Sequence, residues 1–347
     1  MWPQTTLVRA AFTTFLAFKD LRRANTLVSL VNMSTAASVS EPATEAKKFQ
    51  DVSESYATLL GKLNTICQLQ RCKSILGYDQ MVFMPKNPET SSERGAQLSA
   101  LAGLIHEKST ENDILQLIQK SEEDLAALSD SSSYADESRL LEIEKKAFLE
   151  DKRVPAALAA KRAALSAAAH QAWATARQNN DFKSFEPILR DCFETAKEIA
   201  SAKRGDADTP LYTQMLDEFE TGMSKERIDD VFQQIREALV PLIATVLASP
   251  TAPSTEPLKG KFPIEKQKQI GKQIVKAIGF KDEFGRIDVS VHPFTSSSSP
   301  SDVRITSRYS EDEWNMGLIA TIHEAGHGEY IAALFDASHT VDFFPPS

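Results

Sequence analysis

Ile319-Ala-Thr-Ile-His323-Glu324-Ala-Gly-His327-Gly-Glu-Tyr-Ile-Ala-Ala-Leu334 is the stretch on which the reading of this 347-residue chain turns. His323 and His327 are four residues apart, so on a helix of 3.6 residues per turn they leave one face, one turn apart. This H-E-x-x-H spacing lets two imidazoles share one zinc ion. Glu324, next to the first histidine, can reach a metal-bound water without ligating the metal. Such a glutamate takes the water's proton and hands it to a leaving amine. The flanks read as helix. Leu318, Ile319, Ile322, Ile331, Leu334 and Phe335 give apolar faces, no proline falls between Trp314 and Phe335, and Glu311, Asp312 and Glu313 suit a first turn.

Upstream of this helix the pattern alternates. Ile287–Val291 and Val303–Tyr309 read as two strands joined by Pro293–Pro300. Before them, Ile264–Ile278 is a helix stopped by Gly279, and residues 248–263, rich in Pro, Ser and Thr, are a connection. The remainder, from about Phe49, is helical. Tyr56, Leu59, Leu60, Leu63, Ile66 and Leu69 keep a spacing of three to four, up to punctuation at Gly77 and Pro85. Helices follow at Arg94–Ile105 and Glu137–Glu150, with the run Ser129–Ser133 as a loop between them. Pro155 opens an alanine-dense helix through Ala176, followed by Phe185–Ala202. Ser224 caps a long helix whose stripe of Ile228, Val231, Phe232, Ile235, Leu239, Leu242 and Val246 reads as core.

A net charge of −9 and a pI of about 5.3 argue against a general nucleic-acid surface. Three cysteines, Cys67, Cys72 and Cys192, make no zinc-type pair and fit a reducing compartment. No stretch is apolar enough to span a membrane. Residues 1–48 differ from the rest. Within the first forty, Arg9, Lys19, Arg22 and Arg23 face one acid, Asp20, so that this part carries +3 and the remainder −12. The composition is that of an organellar transit segment, with a cytoplasmic start at Met33 as the alternative.

Three signatures in order give the chain a specific resemblance: His292-Pro293-Phe294; Asp302-Val-Arg304-Ile-Thr306 followed by Ser-Arg308-Tyr309; and His323-Glu-Ala-Gly-His327. With Tyr78-Asp79-Gln80 and Arg94-Gly-Ala-Gln97 upstream, the sequence from about residue 52 to 335 resembles the M32, or carboxypeptidase Taq type, zinc metallocarboxypeptidases. The resemblance implies a mostly α, zincin-like metallopeptidase with a small β-sheet beside the H-E-x-x-H helix, and a homodimer. It also implies removal of C-terminal residues from peptide substrates. One zinc ion would be held by His323 and His327, with Glu324 as general base. His292, Asp302, Arg304, Thr306 and Arg308 would border the substrate cleft. There a strand could hold peptide by strand addition, and an arginine could pair with a terminal carboxylate. Structural ion pairs are the other use for the two arginines.

The match also has a gap. The family completes its metal site with a glutamate some two dozen residues beyond the second histidine, and by that spacing the third ligand would fall past Ser347. The expectation is therefore a C-terminally truncated or alternatively terminated member, with 49–347 as the N-terminal and central part of the peptidase domain. Glu329 points elsewhere on the helix, which leaves Asp336, His339 and Asp342 as substitute ligands. Two other readings stand beside the enzyme: a catalytically dead family member that binds or dimerises, and a structural helical protein with an accidental motif.

Overall fold

The computed structural model describes residues 48–251 and 253–336. It opens with α1 (Glu54–Val82), whose N-cap Ser53 accepts a hydrogen bond from the Tyr56 amide, and runs unbroken through Gly77. Next come α2 (Pro88–Ser109), capped by Asn87, then α3 (Asn112–Ala126) and α4 (Ala135–Asp151). The inward stripes of α1, α3 and α4 close on one another around Leu59, Leu63, Ile118, Leu140 and Leu141, with Phe49 plugging the end. Sequence reading passed over α3, although its four buried positions, Ile114, Ile118, Ser121 and Leu125, fall at helical spacing. A second layer holds α5 (Ala156–Gln178) between α2 and α6 (Phe182–Arg204). The small residues Gly95 and Ala167 let α2 and α5 approach closely. The two upstream signature segments meet here: Arg94 Nη2 pairs with Asp79 Oδ2 at 2.6 Å, and Arg94 Nη1 donates to the Leu76 carbonyl.

After the short α7 (Leu211–Leu216) comes α8 (Lys225–Leu247), where the structure corrects the sequence reading. No residue of α8 is buried; Phe232 is 65% exposed, Leu242 56% and Val246 62%. Ile228 and Val231 are half-buried where α7 meets the start of the helix, but the rest of the stripe expected to be core, Phe232 to Val246, is left exposed among the described residues. Periodicity reports an amphipathic face, and an apolar face needs a partner that periodicity cannot supply.

A helix, α9 (Ile264–Ala277), precedes a three-stranded sheet of β1 (Gly285–Val289), β2 (Thr295–Ser299) and β3 (Asp302–Ser307), in the order β1-β3-β2. β1 runs parallel to β3, and β2 antiparallel. The expectation of two strands joined by a Pro293–Pro300 connection is thus corrected: the serine-rich connection is itself a strand. Serine has poor strand propensity, but context outweighs it here. Ser74 of α1 lies 3.1 Å from Ser296 Oγ and donates to the Ser297 carbonyl, so α1 takes up an open acceptor on the sheet edge. The final helix, α10 (Trp314–Asp336), lies across the sheet.

Candidate metal centre

α10 approaches the sheet closely because its inner stripe is small. At Gly317 a Cβ would stand 2.9 Å from the Arg308 carbonyl oxygen, and at Gly328 it would crowd Phe280 and Val303. Between these glycines, Thr321 Oγ1 donates to the Gly317 carbonyl and meets Ser307 Oγ at 2.9 Å. Ala325 and Ile331 join Val275, Phe280, Val303 and Ile305 in a second apolar core. Alternation along β3 divides the sheet into two faces. Val303 and Ile305 face α10, and Asp302 and Arg304 face α1.

The outer side of α10 carries the histidine pair. His323 Nε2 and His327 Nε2 lie 3.2 Å apart, with ring centroids 4.8 Å apart and planes nearly perpendicular. Two nitrogens bound at about 2.05 Å around a tetrahedral zinc would lie roughly 3.3 Å apart, so the pair fits a shared ion. Met316, Ile319 and Tyr330, at 52%, 60% and 69% exposure, flank it.

Glu324 takes the opposite course. It is buried, at 8% exposure, and its carboxylate faces β2, where Thr295 Oγ1 lies 2.7 Å from Oε2 and 2.9 Å from the Glu324 carbonyl oxygen. Thr295 is a partner of Glu324 that sequence reading missed. The contact joins positions 29 apart, and the strand that carries Thr295 was read as a loop.

Thr306 is fully buried and spends its hydroxyl on the chain around His292. It accepts from the Phe294 amide at 2.9 Å, and Ser290 Oγ lies 2.7 Å from it while reaching the His292 carbonyl at 2.6 Å. Thr306 therefore acts on the placement of His292 rather than offering a surface. Asp302 and Arg304 form a bidentate pair within β3, with bonds of 2.8 and 2.9 Å, under the ring of Tyr78. On the same face the Tyr78 hydroxyl donates to Asp288 at 2.5 Å, and Arg286 grips Asp288 with two more bonds. Arg304, with help from Ser298, holds the Asp302 carboxyl below its ordinary range against a smaller opposing push from burial. Burial pushes Asp288 up, but Arg286 and Tyr78 together outweigh it and leave the carboxyl low. This charged layer is turned away from α10, so Arg304 does not share a face with the histidine pair. Arg308 lies one residue beyond β3 and is exposed.

His292 borders a cavity of about 670 Å³, lined also by Tyr78, Trp173 and Phe294 and reached by no residue of α10. Glu329 lies over Gly279, where its Oε2 would stand 2.9 Å from a Cβ, and burial raises its carboxyl. Among the described residues, no group of three or more His, Cys, Asp or Glu side chains gathers as a metal site. His339, Asp342 and the side chain of Asp336 lie outside what the structure describes, as do residues 1–47 of the transit reading. Among the described residues, no helix is long and apolar enough to cross a membrane.

Comparison with known proteins gives this geometry a lineage. A family model described as carboxypeptidase Taq (M32) metallopeptidase matches residues 58–340. Carboxypeptidase 1 of Bacillus subtilis is 31% identical over 268 residues, which cover 77% of this chain and 52% of the relative. Thermostable carboxypeptidase 1 of Thermus thermophilus is 31% identical over 286 residues, covering 80% of this chain and 54% of the relative. The crystal structure of BsuCP superposes with a TM-score of 0.73 at 29% identity, over 80% of this chain and 54% of that one. The chain thus spans about half the length of the curated relatives it matches.

Proposed function

This chain belongs to the carboxypeptidase Taq (M32) metallopeptidase family, and from that premise we propose that it carries the zinc-binding histidines and the general base of a metallocarboxypeptidase acting on peptides. The observation that supports this best is the 3.2 Å separation of His323 and His327 on the exposed side of α10. His323 and His327 would hold one zinc ion. When bound, the ion lowers the pKa of a coordinated water and polarises the scissile carbonyl. Glu324 serves as the proton carrier. Its Oε2 is tied to Thr295, which leaves Oε1 to take a proton and return it to the leaving amine. Arg308 is the better of the two arginines for a substrate carboxylate, because Arg304 is already committed to Asp302. His292, fixed through Ser290 and Thr306, borders the cavity of about 670 Å³, which no described residue of α10 lines. Homodimerisation and an organellar address through residues 1–48 complete the proposal.

A second reading, a non-catalytic member that binds or dimerises, draws its support from the uncovered apolar face of α8 and from the missing third ligand among the described residues. Family membership leaves little for the accidental-motif reading to explain. The deciding experiment loads the full chain with zinc and follows release of C-terminal amino acids from a free and a C-terminally blocked peptide. At most slow release from the free peptide alone, abolished by Glu324→Gln without loss of zinc affinity, is the expected result, because the described residues bring only two ligands together. Turnover that survives Glu324→Gln would refute the assigned base, and cleavage of the blocked peptide would make the activity an endopeptidase.

A further inference from the structure

Glu324 is the carboxylate next in sequence to His323, and an ionised carboxylate next to an incompletely ligated metal is itself a competent ligand. The structure shows what opposes that. Thr295 Oγ1 sits 2.7 Å from Glu324 Oε2 and 2.9 Å from the carbonyl of the same residue, so one hydroxyl addresses both the side chain and its own stretch of helix. Thr295 is 6% exposed, sits opposite Ile305 in the sheet, and has the restricted side-chain rotation of a β-branched residue, so its hydroxyl is held in place. The bond draws the carboxylate inward, toward β2, while the histidine rings project to the outer side of α10.

We propose that Thr295 is a positioning residue that keeps Glu324 out of the metal's coordination shell and so preserves it as a base. The inference rests on the two-histidine zinc reading above. It adds a residue of the β2 strand to the site, and gives the serine-rich segment a role in choosing between base and ligand. Mutating outer-shell partners of this kind typically changes metal affinity or activity by about 10–100-fold.

The test uses the full chain with cobalt(II) as the probe. Affinity is read by competition with a chelator, and coordination by visible absorption. Thr295→Val keeps the shape and removes the hydroxyl, which frees Glu324 to turn toward the ion. Cobalt(II) should then bind several-fold more tightly, with a stronger absorption band. Thr295→Ser, which keeps the donor, should behave as the parent chain, and adding Glu324→Ala to Thr295→Val should erase the gain. A purely structural role for Thr295 predicts equal or weaker binding, so that result overturns the proposal, as does a gain that survives Glu324→Ala. Thr295→Ala, read the same way, replaces the valine variant if that one does not fold. His323→Ala separates the two levels of the argument. If it binds cobalt(II) as the parent does, the two-histidine reading fails; if it loses the ion while Thr295→Val matches the parent, only the role of Thr295 fails.

Discussion

Thr306 shows how much of the chain around His292 is held by a fully buried side chain. Its hydroxyl is fully buried and satisfies the Phe294 amide, with Ser290 Oγ alongside. Thr306→Val keeps the volume and strands the Phe294 amide in a dry interior, where an unsatisfied donor costs about 1–3 kcal/mol, while Ser290 keeps its bond to the His292 carbonyl. The expected outcome is a stability loss of about 2 kcal/mol in denaturant titration, with bound metal unchanged; a neutral substitution would show that the loop around His292 does not depend on this bond. At this scale the pairing of His323 and His327 was legible in the sequence, because a helical period turns a spacing of four into a shared face without further information. It did not reveal Thr295. That contact depends on how β2 lies under α10, and no local pattern encodes a bond between residues 29 apart. Arg304 was legible as one of a pair of uses, and the structure shows the ion pair with Asp302.

The sheet and α1 form the element on which the site rests, and their joint is electrostatic. Tyr78 bridges Asp288 and the Arg304–Asp302 pair, and both carboxyls are held below their usual range. A carboxyl whose folded pKa is depressed stabilises the fold above its unfolded pKa, and that contribution is lost as pH falls through the folded value. The loss therefore begins below the ordinary aspartate value of 3.8 and deepens with acid. Tyr78→Phe removes one bond to a charged acceptor, worth about 1.5–3 kcal/mol at neutral pH, and should flatten the acid limb of a melting-temperature profile. An acid limb identical in parent and variant would place the sensitivity elsewhere. Elements were legible to different degrees for related reasons. α1, α5 and α6 showed themselves by period and composition. β2 did not, because serines at a strand edge resemble a loop until a helix covers them. α8 was legible as a helix and misread as core, since its stripe states a need for burial rather than the fact of it.

For the whole molecule, the question is how firmly a metal can be held by what the described residues bring together. Two neutral imidazoles offset none of the ion's +2 charge, and catalytic zinc sites ordinarily use three protein ligands. Glu324 is bonded to Thr295, Glu329 lies over Gly279, and no third His, Cys, Asp or Glu joins the pair among the described residues. The exposed flank of Met316, Ile319 and Tyr330 leaves the pair open to water, which competes for the ion and screens its charge. The expectation is weak, chelator-labile zinc: the purified chain, loaded with one equivalent and passed through a chelating column, should lose most of its metal while keeping its helical circular dichroism. Retention would be informative in a specific way. His339→Ala and Asp342→Ala, made singly, would then show whether the C-terminal tail supplies the missing donor, and a concentration-dependent retention would point to a second copy instead. Tight zinc that survives both substitutions and dilution would mean that two histidines suffice here, contrary to the charge argument.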